Sequence, residues 1–375
     1  MDIHSPLTLL GGLTAAQFMK RHWQRRPLLV RGAVSGLEAL VPAERLFTLA
    51  GQDDVESRLI LRQPAGRWQL RQGPFSPQDI PSPRRKAWTL LVQGMDLHEP
   101  AVHALMQSFR FVPEARLDDV MISHATDGGG VGPHFDSYDV FLLQTQGRRR
   151  WRIGRQDDLS LQPGMPLKIL ARFEPEQEFL LEPGDMLYLP PRWAHDGIAE
   201  GQCQTCSIGF RAPARGELAR ELLQRLADEA ADAVGERLYA DAGQPAADRP
   251  GAIPSALQDF ARDAVQAALK ESHWLERALG ESLTEPKPQV WFETRQPPRR
   301  LVAVALDPRS RMLYDDRHVF MNGESWRAGG ADARLMRRLA DARRLSASEL
   351  QRASPEALAL LREWCASGWV QAAPL

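Results

Sequence analysis

With 375 residues, of which 43% are hydrophobic and 25% charged, the chain has the composition of a globular protein and exceeds the usual size of one compact domain. Its formal net charge of -1 gives no global attraction to nucleic acid or an anionic membrane. No apolar run is long enough to span a bilayer, and the N-terminus lacks the basic and apolar regions of a secretory leader, so a cytoplasmic protein without membrane contact is expected.

In chain order, Thr14-x-x-Gln17 has the form of a capping box opening a short helix through Phe18 and Met19, and leads into His22-Trp23-Gln24-Arg25-Arg26-Pro27. Strands and turns dominate from there to about Phe210. Within this stretch His134-Phe135-Asp136 and, much later, His195 form the most informative pattern. On a strand, alternate residues share a face, so His134 and Asp136 are expected to project together while Phe135 points away. Glu182-Pro183-Gly184-Asp185 reads as a tight turn, Met186-Leu187-Tyr188-Leu189 as a buried strand, and Pro190-Pro191 as a stop before Trp193-Ala194-His195. A double-stranded β-helix (cupin) barrel presents its last metal ligand in this way. Two imidazoles and one carboxylate occupy one face of an octahedral iron(II) and leave the other face open for chemistry. His103 and His124 lack the parity or spacing to compete as ligands.

Around Arg149 the pattern alternates: Arg149, Trp151 and Ile153 share one strand face, and Arg148, Arg150 and Arg152 share the other. The apolar face is the one buried, so Arg149 is expected to point inward, where an unpaired charge would be costly. Its partner is either the distal carboxylate of 2-oxoglutarate or a neighbouring protein carboxylate. Ser123 is a second candidate donor to the same carboxylate, or else a strand-edge serine without a role. Tyr138 has the parity of the ligands and is either a pocket-lining residue or a packed barrel tyrosine. Asp127 and Asp139 are candidate acidic residues at the rim. The run Gly128-Gly129-Gly130-Val131-Gly132-Pro133 is not a phosphate loop, because neither Lys-Ser nor Lys-Thr follows it; it serves either close backbone approach or a flexible turn. Cys203-Gln204-Thr205-Cys206 has zinc spacing, but with Cys365 the only other cysteine no second pair completes a site, and buried thiols are expected.

After Arg211-Ala212-Pro213 the chain turns rich in Ala, Glu, Leu and Arg. Leu218, Leu222, Leu223 and Leu226 are expected on one helical face, and Leu257, Phe260, Ala261, Ala264 and Ala268 on that of a second helix opened by Ser255-x-x-Gln258. Glu285-Pro286-Lys287-Pro288 reads as a linker. Beyond it come a strand pair, Arg311-Met312-Leu313-Tyr314 with His318-Val319-Phe320-Met321, helices at about 332–342, 347–352 and 355–365, and a last strand containing Trp369-Val370. Short strands among small helices predict a winged-helix-like α+β domain. Its modest arginine excess does not make it a nucleic-acid reader, and direct nucleic-acid contact is left open. The expected domains are 1–212 (catalytic barrel with N-terminal helical elements), 213–285 (helical segment) and 286–375 (winged-helix-like).

The segments Met121-Ile122-Ser123, Gly128 through Phe141, Gly147 through Arg152, Glu182 through His195 and His22 through Pro27 resemble the bacterial JmjC-type ribosomal oxygenases along the length of the chain. The resemblance implies a homodimer through the helical segment and an iron(II)- and 2-oxoglutarate-dependent dioxygenase that hydroxylates an arginine side chain of large-subunit ribosomal protein sixteen. It also implies His134, Asp136 and His195 as metal ligands and Arg149 as the co-substrate arginine. RNA-nucleoside hydroxylation and lysine demethylation use the same chemistry and are the alternatives.

Overall fold

The computed structural model describes residues 2–36, 40–63, 66–270 and 273–373. The chain divides into two compact units, Met1–Ala212 and Pro213–Leu375. The first contains α1 (Ala15–Arg21), β1 (Leu28–Val30), α2 (Ala43–Leu49), β2 (Ser57–Arg62), β3 (Trp68–Gln72), β4 (Trp88–Val92), α3 (Met95–His98), α4 (Pro100–Gln107), β5 (Leu117–Ala125), β6 (Val140–Gly154), β7 (Gln177–Leu181), β8 (Met186–Leu189) and β9 (Ala194–Phe210). The capping box of α1 is present in both arms, Thr14 accepting from Gln17 and Gln17 from Thr14.

The nine strands make one antiparallel sheet in the order β1-β8-β6-β9-β5-β4-β2-β3, with β7 also on β6. β6 and β9 pair along their length and form the spine. On the other edge of β6, β8 takes the N-terminal half and β7 the C-terminal half. One face, with Phe141, Leu143, Tyr188, Ile208 and Phe210, packs in a core with α1, α2 and α4; the other gathers Val140, Leu142, Trp151, Ile153, Leu187 and Leu189 in a second cluster. That second cluster takes even-numbered residues from the start of β6 and odd-numbered ones from its end. The switch occurs where the β6–β9 register shifts between Gln144 and Arg148. Each extra residue in a bulge inverts strand parity. Gly147 sits there at φ 59°, and a Cβ on it would lie 2.0 Å from the Gln202 carbonyl oxygen. Without this irregularity Arg149 would face the opposite side of the sheet.

The segment His22–Pro27 is a clamp. Trp23 stacks on Tyr188 with centroids 6.0 Å apart, and the Arg116 guanidinium lies over Trp23. The Gln24 backbone N–H donates to the Tyr188 hydroxyl (2.8 Å), which donates to Asp139 (2.6 Å), and the Gln24 amide donates to the other Asp139 oxygen (3.0 Å). This corrects the rim position expected of Asp139. Its carboxylate is fully buried and held by Tyr188, Gln24 and, at 3.5 Å, Arg116. The cysteines are buried free thiols.

The second unit comprises α5 (Arg215–Val234), α6 (Ser255–Leu269), α7 (Trp274–Thr284), β10 (Ala303–Leu306), β11 (Met312–Tyr314), β12 (His318–Met321), β13 (Glu324–Arg327), α8 (Gly330–Ala342), β14 (Arg344–Leu345), α9 (Ala347–Leu350), α10 (Pro355–Ala366) and β15 (Val370–Ala373). Its sheets are β14-β10-β15 and β11-β12-β13, around a core that includes Met336, Leu339, Leu361 and Trp364. α7 packs on the second sheet, with Gly280 against the Phe320 ring and Glu281 accepting from the Ser325 hydroxyl at 2.6 Å. Leu222 and Leu226 are buried with Trp274, whereas Leu223 is 57% exposed and does not share their environment. Ser255 is the first residue of α6 and does not cap it. β10, β13 and β14 are too short and irregular in pattern to stand out in the sequence. Among the described residues no helix is long and apolar enough to cross a membrane.

His124 sits between Phe47 and Trp88, neither ring nitrogen has a hydrogen-bond partner among the described residues, and burial, with the Arg149 charge, lowers its pKa to about 4. Below its unfolded value near 6.5 the unfolded chain binds the proton more readily than the folded chain. His124 therefore costs stability progressively from about pH 6.5 down through pH 4. His124→Phe is expected to flatten the pH dependence of urea unfolding across that window; an unchanged slope would show that His124 is not buried neutral.

Candidate metal centre

His134 and Asp136 lie outside any strand, in the loop between β5 and β6, which corrects the expectation that a strand carries them. A single antiparallel bridge does the positioning. The His134 N–H donates to the His195 carbonyl (3.0 Å) and the His195 N–H to the His134 carbonyl (2.8 Å). Directly opposed residues in an antiparallel pair project to the same side. The two imidazoles accordingly lie with centroids 4.2 Å apart. On its other flank His195, near the start of β9, pairs with Ile153 of β6, which ties the ligand to the spine of the sheet. The Asp136 carbonyl accepts from the Arg192 N–H (2.7 Å), and Arg192 takes up the left-handed φ of 65° at the turn before β9. Asp136 then brings a carboxylate oxygen to 3.7 Å from His195 Nε2.

The ligand atoms of His134, Asp136 and His195 all lie within 4.8 Å of one another. Each histidine places Nδ1 against a backbone carbonyl two residues earlier, His134 on Gly132 (2.9 Å) and His195 on Trp193 (3.0 Å). A carbonyl only accepts, so Nδ1 carries the proton and Nε2 keeps its lone pair for a metal. Burial, reinforced by the neighbouring His134 ring, holds the His195 pKa down at about 4, so at neutral pH it is an uncharged ligand. His195 is buried while His134 and Asp136 are half-buried, so the group opens on one side. Two imidazoles and a carboxylate with an open face fit a catalytic iron(II).

Arg149 is buried and points to the same interior as Trp151 and Ile153, while Arg148, Arg150 and Arg152 face outward as their parity implies. Arg150 pairs with Glu178 and Glu200, and Arg152 with Asp196. Arg149 donates through Nη1 to the Ser123 hydroxyl (3.0 Å), and its Nε and Nη2 have no hydrogen-bond partner among the described residues. Among the described residues no carboxylate pairs with it, which removes the protein-carboxylate alternative. A buried guanidinium held by one neutral hydroxyl is an anion site in waiting.

Tyr138 lies at the opening. The residue is 39% exposed, and its hydroxyl lies near the Asp136 carboxylate. Burial of that hydroxyl, then the charges of Asp136 and Asp119, raise its pKa above that of a free phenol. Asp127 is half exposed, ion-paired to Lys86 at 2.8 Å, and accepts from the Gly201 N–H. Gly129 and Gly130 are close-approach glycines for the protein's own backbone: added Cβ atoms would lie 2.4 Å from the Trp88 carbonyl oxygen and 2.5 Å from that of Gly197. Sequence reasoning missed the structural task of Gln24 and Tyr188. The only signal was the unexplained His22–Pro27 motif.

The JmjC domain family matches residues 104–218, and the ROXA-like winged helix family matches 249–371. Ribosomal protein uL16 3-hydroxylase of Escherichia coli is 35% identical over 286 residues, 75% of this chain and 74% of that protein. The chain belongs to the JmjC ribosomal oxygenases. The structure of E. coli ycfD matches this oxygenase with a TM-score of 0.82 at 30% identity, covering 96% of this chain and 98% of that one. YcfD, a ribosomal oxygenase from E. coli, in complex with cobalt and 2-oxoglutarate, matches with a TM-score of 0.78 at 30% identity and the same coverage. The match extends through both units, and the C-terminal unit contains the ROXA-like winged-helix match.

Removing a ligand tests the centre directly. His134→Ala or Asp136→Ala is expected to abolish stoichiometric cobalt(II) or iron(II) uptake in anaerobic calorimetry, with the melting temperature of the metal-free protein within a few degrees of the parent's. Full-affinity uptake by either variant would place the metal elsewhere.

Proposed function

We propose that this oxygenase hydroxylates an arginine side chain of ribosomal protein uL16, with His134, Asp136 and His195 as its iron ligands and Arg149 and Ser123 as its co-substrate anchors. The observation that carries this reading is the pairing of an open-faced triad with a buried, half-satisfied Arg149 in one interior. Likeness to the E. coli uL16 3-hydroxylase supports the substrate.

Iron(II) bound with 2-oxoglutarate and dioxygen supplies the oxidising power to insert one oxygen atom into an unactivated C–H bond while the co-substrate becomes succinate and carbon dioxide. The chain supplies position. His134 and His195 offer Nε2, each ring fixed by its carbonyl bond, and Asp136 offers a carboxylate from a backbone held by the Arg192 N–H. Arg149 and Ser123 donate to the distal carboxylate of 2-oxoglutarate, and the fork geometry of the guanidinium orients it. Tyr138 lines the substrate entrance. Asp127 faces solvent, where a substrate guanidinium would compete with Lys86 for its carboxylate.

The helical segment of the second unit is assigned to homodimer formation. Leu223, Val265, Leu269 and Leu275 are all more than half exposed on α5, α6 and α7, a set of apolar side chains that a second copy would cover. Action on a ribosomal protein places the enzyme in the cytoplasm.

After anaerobic loading with iron(II) and 2-oxoglutarate, then exposure to air, mass spectrometry of uL16 is expected to show one added oxygen on an arginine, absent with His134→Ala. Consumption of 2-oxoglutarate without any modified uL16 residue would overturn the substrate. Arg149→Ala is expected to raise the KM for 2-oxoglutarate roughly 100-fold or more, as removal of one partner from a buried charge pair does. Light scattering should report a dimer that Leu223→Glu shifts toward monomer; a parent that is already monomeric would exclude the dimer.

A further inference from the structure

Trp151 joins the two halves of the site. Its ring centroid lies 5.8 Å from that of His195, and the Arg149 guanidinium carbon lies over the ring, 5.8 Å from its centroid. It is 5% exposed, and Gly197 of β9 packs so closely that a Cβ there would lie 2.7 Å from the indole. The indole N–H has no hydrogen-bond partner among the described residues. Trp274 and Trp364 also lack one, so the missing bond alone decides nothing. Trp151 differs from them in its neighbours: it shares the interior with the unpartnered Nε and Nη2 of Arg149 and touches a ligand of the triad. Three buried N–H donors in one interior call for a ligand made of acceptors, and a dicarboxylate reaching from the triad to Arg149 runs past this indole.

The geometry points to Trp151 as a further co-substrate-binding residue, whose indole N–H donates to the dicarboxylate that Arg149 holds and whose ring is the wall of its slot. This rests on the co-substrate role given to Arg149 above. A tryptophan is suited to the position because it presents an apolar face to the methylene carbons and one donor at its edge, in a place where a second cation would face the Arg149 charge.

Trp151→Phe keeps an aromatic wall and removes the donor. With the full chain loaded with zinc(II), which does not turn over, 2-oxoglutarate and succinate are titrated calorimetrically into the parent, Trp151→Phe and Arg149→Ala. Trp151→Phe is expected to bind both dicarboxylates about tenfold or more weakly, the loss of a hydrogen bond to a charged group, with zinc affinity unchanged. Parent-like affinity in Trp151→Phe together with lost affinity in Arg149→Ala would overturn the role of Trp151 alone. Parent-like affinity in both variants would overturn the Arg149 slot itself. If Trp151→Phe does not fold, a crystal structure of the parent with zinc and 2-oxoglutarate decides: the indole nitrogen within hydrogen-bond distance of a ligand oxygen supports the assignment, and any other orientation overturns it.

Discussion

The two reciprocal hydrogen bonds between the backbones of His134 and His195 are the interaction on which the site depends. They make one residue of a loop a cross-strand neighbour of a residue anchored in the sheet, and the side chains of such neighbours must share a face. From that single bridge follow the close approach of the imidazoles, the reach of Asp136 and the open side of the group. A loop, unlike a strand, leaves His134 and Asp136 half-exposed. Access for a macromolecular substrate and assembly of the ligand set therefore have the same structural origin.

The loop is held at both ends. On the N-terminal side the glycines pass so close to the carbonyls of Trp88 and Gly197 that no side chain fits. On the C-terminal side Asp139 is locked by Tyr188, Gln24 and Arg116, a buried carboxylate whose charge is met by three donors. The N-terminal clamp thus bears on the metal loop across most of the first unit's sequence, and an apparently peripheral motif contributes to the preorganisation of the ligands.

Electrostatically the interior is divided. His195, kept neutral by burial, lies at one end beside His134, and a single guanidinium with donors to spare lies at the other. The outward arginines of β6 find carboxylates on β7 and β9, so the strand commits its surface charges to ion pairs and reserves one charge for the interior. An excess of one positive charge is costly in an empty barrel and favourable when an anion enters.

Much of this was legible in the residues. The shared face of Arg149, Trp151 and Ile153, the turn at Glu182–Asp185, the buried strand after it and the capping box at Thr14 are carried by local alternation and turn chemistry, whereas the triad was legible from the ligand chemistry of its side chains. The winged-helix character of the C-terminal unit was legible at the level of element type, though three short strands were not. What the sequence by itself determined was the chemistry: which side chains can ligate iron and which charge is buried. The tertiary structure alone decided their placement. The loop position of His134 and Asp136, the burial of Asp139 and the bulge that inverts parity between Leu142 and Trp151 of β6 all arise from pairing between segments distant in the chain. Local alternation carries no information about which segment lies alongside, or where an extra residue inverts the register.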